Sequence, residues 1–131
     1  MKLKNIEIEQ MIDSILPLLD RKDIIGYAAA RNVRIFRNTI LEYTSKRDEL
    51  INMYGEKELD DDGKETGRSF IKNTSPNIKT YAHEIAEYAI IEHEVTIFKI
   101  PYDKVIGELT GSEILEIDWM LEDSDNPRDC S

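Results

Sequence analysis

Between residues 24 and 54 the side chains Ala29, Val33, Phe36, Ile40, Tyr43, Arg47, Leu50 and Tyr54 recur at alternating intervals of four and three. That heptad stripe predicts one continuous helix, roughly 45 Å long at 1.5 Å per residue. A rod of that length exceeds what a compact domain of 131 residues needs, so its apolar seam must be closed by another helix along much of its length. Arg47 fits the seam if its aliphatic stem lies along it and its guanidinium reaches water. Gly55 is expected to end the rod in a left-handed cap.

The partner follows a polar stretch, residues 56–75, where Asp60, Asp61, Asp62, Gly63 and Gly67 read as a turn or mobile loop. Ser75 then Pro76 forms a helix start, cap followed by proline at the first helical position. Ile78, Tyr81, Ala82, Ile85, Ala89 and Glu92 carry a second stripe, which predicts a helix returning antiparallel to the first.

The flanks differ in residue type. Ile8, Met11, Ile12, Ile15, Leu16 and Leu19 form one face of a short helix that Pro17 stops, with residues 2–8 open to a strand start. Asp23 is placed to cap the long helix. Residues 94–101, EVTIFKIP, are β-branched and aromatic and predict a strand, paired with residues 105–109 or residues 2–8. Thr110 with Glu113 makes a capping box for a last helix running to about Glu122, apolar on more than one face. The acidic residues 123–131 are expected to be disordered. With no repeat and no Gly/Ser linker, the expectation is a single domain over 1–131. Its class is mostly α, α+β overall: a long antiparallel helical hairpin, a small β-sheet and a C-terminal helix.

Charge narrows the function. A net charge of -10, from 27 acidic and 17 basic residues, disfavours a nucleic-acid surface and favours a protein partner with a basic surface. The charge is uneven: residues 24–47 hold five cations against the single acid Glu42. Arg31, Arg34 and Arg37 lie at three-residue spacing there, either as a solvated face paired with neighbouring carboxylates or as a grip on an acidic partner. No apolar run approaches the roughly 20 residues of a membrane span, and no signal peptide is visible, so no membrane role is expected. Cys130, the single cysteine, fits a reducing cytosol.

Catalytic chemistry finds little purchase, and no cofactor is expected. His83 and His93 are ten residues apart, about 80° around the expected helix, so they do not share a metal face, and His83 with Glu84 and Glu87 lacks a third ligand segment. Glu58, Asp60, Asp62 and Gly63 imitate the start of a calcium loop, but Ser69 stands where the bidentate glutamate belongs. There is neither a nucleophile elbow nor a phosphate-binding loop.

Several segments resemble a family of small uncharacterised proteins encoded by phages and prophages of Gram-positive bacteria. They are Met1-Lys2-Leu3-Lys4-Asn5, Arg31-Asn32-Val33 through Arg47-Asp48-Glu49-Leu50, Tyr54-Gly55-Glu56-Lys57, Asp61-Asp62-Gly63-Lys64, and Leu109-Thr110-Gly111-Ser112-Glu113-Ile114 within residues 97–121. The resemblance implies an accessory phage product and transfers no catalytic residue.

The expectation is therefore a non-enzymatic interaction module. Trp119, Met120 and Leu121 are its expected apolar anchors, and Asp60, Asp61, Asp62, Asp118, Glu122, Asp123 and Asp125 its acidic contacts. Homodimerisation through the long helix or the Trp119 helix is open. The runner-up is an acidic mimic of nucleic acid that inhibits a host nuclease or defence protein; a metal-dependent enzyme using His83 and Glu84 comes third.

Overall fold

The computed structural model describes residues 1–122 and shows a mostly α, α+β fold. Strand β1 (Lys2–Lys4) runs directly into helix α1 (Asn5–Ile15), where the Glu7 carboxylate accepts from the Lys4 N–H at 2.9 Å. Pro17 converts the end of this helix into a 3-10 turn at Leu16–Leu18, as its missing amide hydrogen requires. Asp23 caps the next helix, α2 (Ile24–Thr39), its carboxylate accepting from the Gly26 N–H at 3.2 Å.

The long rod is broken. Helix α2 ends at Thr39 and α3 (Leu41–Tyr54) begins after Ile40, whose backbone (φ -98°, ψ 12°) leaves the helical well. No proline or glycine lies at the break. The Thr39 hydroxyl donates to the Ile35 carbonyl at 2.8 Å, a backward hydrogen bond of the kind that bends helices. The heptad series still marks the buried side: Ala29, Val33, Phe36, Ile40, Tyr43 and Leu50 are buried, and Arg47 and Tyr54 half-buried.

Because of the kink, two different partners close the seam. Helix α4 (Ile78–Ala89) returns antiparallel along α3 only: the Tyr54 hydroxyl donates to Glu84 at 2.8 Å, and the Lys46 ammonium lies 5.5 Å from the Tyr88 ring centroid. Helix α2 is covered instead by α1 and by an extended strap, residues 95–99. The buried Asn32 holds that strap, donating to the Phe98 carbonyl at 2.8 Å and accepting its N–H at 2.7 Å. An asparagine side chain thus stands in for a neighbouring strand.

Three small sheets complete the fold. The strand expected over residues 94–101 does not form as one piece, because residues 95–99 run as the irregular strap; strand β4 (Glu92–Glu94) ends as that segment begins and pairs antiparallel with β1, Leu3 opposite His93. Strand β5 (Ile100–Pro101) pairs in parallel with β6 (Leu121–Glu122). The polar stretch expected to be a loop is a β-hairpin, β2 (Glu56–Leu59) and β3 (Glu65–Phe70). Gly55 is extended (φ -100°), not left-handed. Its need for glycine is steric, because a Cβ there would strike the carbonyl oxygens of Phe70 and Ile51. Ser75 caps a turn before α4 rather than the helix itself.

The last helix, α5 (Gly111–Glu116), opens on the expected capping box: Thr110 Oγ accepts from the Glu113 N–H at 3.2 Å, and Glu113 accepts from the Thr110 N–H at 2.9 Å. It is shorter than expected, giving way to a 3-10 turn at Asp118–Met120 that drives Met120 into the core beside Ile117 and Leu121. No helix among the described residues is long and apolar enough to cross a membrane.

Candidate functional site

The expected apolar anchors are structural. Met120 is 0 % exposed and Leu121 buried, while the half-buried Trp119 packs against Phe36 with ring centroids 5.5 Å apart and donates its indole N–H to the Glu116 carbonyl at 3.1 Å. Burial inside one copy accounts for these three residues, whereas Leu115 on α5 is 78 % exposed. The kinked helix leaves no free heptad seam, since α1, α4 and the strap occupy it.

What the fold does expose is the tip of the β2–β3 hairpin. Asp60 is spent on building the turn: one of its carboxylate oxygens accepts from the N–H groups of Asp62 and Lys64, both at 2.9 Å. Gly63 completes it at φ +80°, a backbone that favours glycine. Asp61 and Asp62 are left exposed, with no cation within ion-pair distance among the described residues, and Leu59 beside them is 58 % exposed. Neither strand of the hairpin contains a fully buried residue. Farther down, Lys57 meets Glu65 at 3.4 Å and Lys72 meets Glu56 at 3.6 Å. Of the other expected acidic contacts, Asp118 and Glu122 are exposed on different elements; Asp123 and Asp125 lie outside the described residues.

A second surface has the opposite charge. Arg31, Arg34 and Arg37 are exposed along α2, and among the described residues none has a carboxylate partner. Among the described residues the expected pairing with neighbouring carboxylates is not found. By contrast, Arg21 holds Asp23 at 2.6 Å and Glu108 at 2.9 Å, and Arg47 holds Glu9 at 2.5 Å. Arg31 lies instead over aromatic rings, 4.8 Å from the Phe98 centroid and 5.9 Å from that of Tyr27, and donates to the Tyr27 hydroxyl at 3.2 Å. Tyr27 meets Phe98 edge-on at 5.7 Å and 79°. Tyr27, Ala30, Arg31, Arg34 and Ile35 line an open cavity of about 420 Å³. Sequence spacing identifies the arginines, but the Phe98 platform depends on Asn32 placing the strap.

The residues considered for metal or acid-base work are dispersed. His83 is exposed on α4, whereas His93 sits in β4 and shares a 2.8 Å hydrogen bond with the buried Asn5. Since the Asn5 amide nitrogen donates to the Tyr88 carbonyl at 2.7 Å, its oxygen faces His93, and that assignment puts the proton on His93 Nε2. This tie joins α1, α4 and β4. No cluster of three metal-binding side chains is found among the described residues. Close by, burial and then the Glu9 carboxylate push the Tyr43 phenol above its ordinary value.

No family model matches the chain, and neither does any curated protein or solved structure.

Proposed function

We propose that the chain is a non-enzymatic protein-interaction module, of the accessory phage type its sequence resembles, and that it engages a basic protein surface through the tip of the β2–β3 hairpin. The observation supporting this is a hairpin whose tip spends one carboxylate on its own turn and leaves two, Asp61 and Asp62, exposed and without an ion-pair partner among the described residues. A two-stranded hairpin is marginal alone. This one continues from α3, with the Gly55 backbone packed closely against Phe70, and its preformed strand pairing lowers the ordering cost when a partner arrives. Exposed carboxylates steer a basic partner, and Leu59 supplies apolar contact once it has docked. The mimic of nucleic acid has less behind it, because Lys57, Lys64 and Arg68 interrupt the negative display on the same hairpin.

A fluorescent oligolysine peptide tests the reading by anisotropy. Wild-type protein is expected to bind it with an affinity that falls steeply as salt is raised, and Asp61→Asn/Asp62→Asn to bind at least about fivefold more weakly, a loss of about 1 kcal/mol. Equal binding by the two proteins overturns the role of the tip.

A further inference from the structure

We propose that the hairpin tip of one copy docks on the arginine face of α2 in a second copy. The inference rests on the role just given to the tip and names its partner. In a chain with a net charge of -10, three arginines on successive turns with no carboxylate partner among the described residues are a surface of the sign the tip requires. The charge complementarity extends to shape. Leu59 precedes Asp60, Asp61 and Asp62 as an exposed apolar tooth, and Ala30, Ile35 and Tyr27 line a cavity of about 420 Å³ beside Arg31 and Arg34. Consecutive residues of the turn are about 3.8 Å apart, and Arg31, Arg34 and Arg37 step about 4.5 Å along the helix axis, so two carboxylates can meet two guanidinium groups at once. Arg31 is already ordered by Phe98 and the Tyr27 hydroxyl, which reduces the side-chain entropy lost on docking.

Within one copy the two surfaces do not meet. The arginines precede the kink at Ile40, the hairpin follows the far end of α3 about 20 Å of helix later, and no ion pair among the described residues joins them. Contact therefore occurs between copies and uses two different patches, a head-to-tail arrangement that closes into a ring or extends as a chain. Screening over about 8 Å at physiological salt limits the repulsion of the remaining carboxylates, leaving the local attraction to dominate.

Sedimentation of the full chain decides this. Wild-type protein is expected to gain mass with concentration beyond a dimer, and to lose that association at high salt. The charge reversals Arg31→Glu/Arg34→Glu and Asp61→Lys/Asp62→Lys should each be monomeric at concentrations where the wild type associates. Mixed in equal amounts, the two variants are expected to form a complex again. The untouched tip of the first variant meets the untouched arginine face of the second, and the reversed face of the first meets the reversed tip of the second with the charges exchanged. Arg34→Glu/Arg37→Glu, which spares the Arg31 stack, repeats the test should the first pair disturb folding, as read by circular dichroism. A wild-type protein that stays monomeric while its tip still binds oligolysine overturns the self-docking and leaves the proposed function standing. Self-association that survives either reversal, or no complex on mixing, overturns the self-docking as well. Oligolysine binding that ignores Asp61→Asn/Asp62→Asn overturns the role of the tip, and the self-docking with it.

Discussion

Asn32 and Phe98 pair through both backbone groups of the phenylalanine, at 2.8 Å and 2.7 Å, with the asparagine side chain 0 % exposed in the core. One polar side chain thereby joins α2 to the strap and fixes the ring on which Arg31 rests. Replacing it by leucine removes both hydrogen bonds and leaves a backbone N–H and a carbonyl unpaired beside apolar atoms. The expected loss is about 3 kcal/mol of unfolding free energy, measured by urea denaturation. Asn32→Asp should be no better, since a carboxylate cannot donate to the Phe98 carbonyl and brings a charge into the core.

Met120→Ala separates packing from binding. Truncating a fully buried methionine is expected to cost about 2–5 kcal/mol, and calorimetry should show a lower melting temperature. Below that transition, oligolysine binding should be unchanged, because the hairpin tip lies on another element; weakened binding in the folded variant would return Met120 to the interaction surface.

Gly55→Ala places a methyl group against the Phe70 and Ile51 carbonyl oxygens. Overpacking of this kind costs about 1–3 kcal/mol. The strain is local, so amide exchange in β2 and β3 should accelerate more than exchange in α1 or α2.

Stability should fall at both ends of the pH range. Arg21 and then the Gly26 N–H hold the Asp23 carboxyl below its ordinary value, and the Thr110 N–H and hydroxyl do the same for Glu113. Their contribution is present above the unfolded carboxylate value and is lost as pH falls through the lowered folded one. Tyr43, pushed up chiefly by burial, contributes below the ordinary tyrosine value, and that contribution disappears as pH rises through the raised one. Asp23→Asn should flatten the acid limb and Tyr43→Phe the alkaline limb of a stability profile; swapped effects would refute the assignments.

Much of the helical framework is legible in the residues themselves. The heptad series names the buried side of α2 and α3, Pro17 ends the first helix, and Asp23 and Thr110 cap where their side chains predict. The kink is not legible, because no proline or glycine marks it and the apolar phase continues undisturbed from Phe36 through Ile40 to Tyr43. The hairpin is hidden for the opposite reason: its strands bury no face, so no alternation marks them. Trp119, Met120 and Leu121 show that apolar residues on every face announce burial without saying whether a partner or the chain's own core provides it. At the candidate surfaces, the carboxylates and arginines are visible by charge, but which are spoken for, as Asp60 is, depends on backbone geometry.

The pairing of β1 with β4 joins residues 2–4 to residues 92–94. During translation the first strand therefore waits until some ninety further residues have emerged from the ribosome before it finds its neighbour, although α1 can already pack on α2. Such distant closure slows folding and prolongs exposure of unfinished apolar surface, so yields in a producing cell should depend on chaperone supply more than the short length of the chain implies.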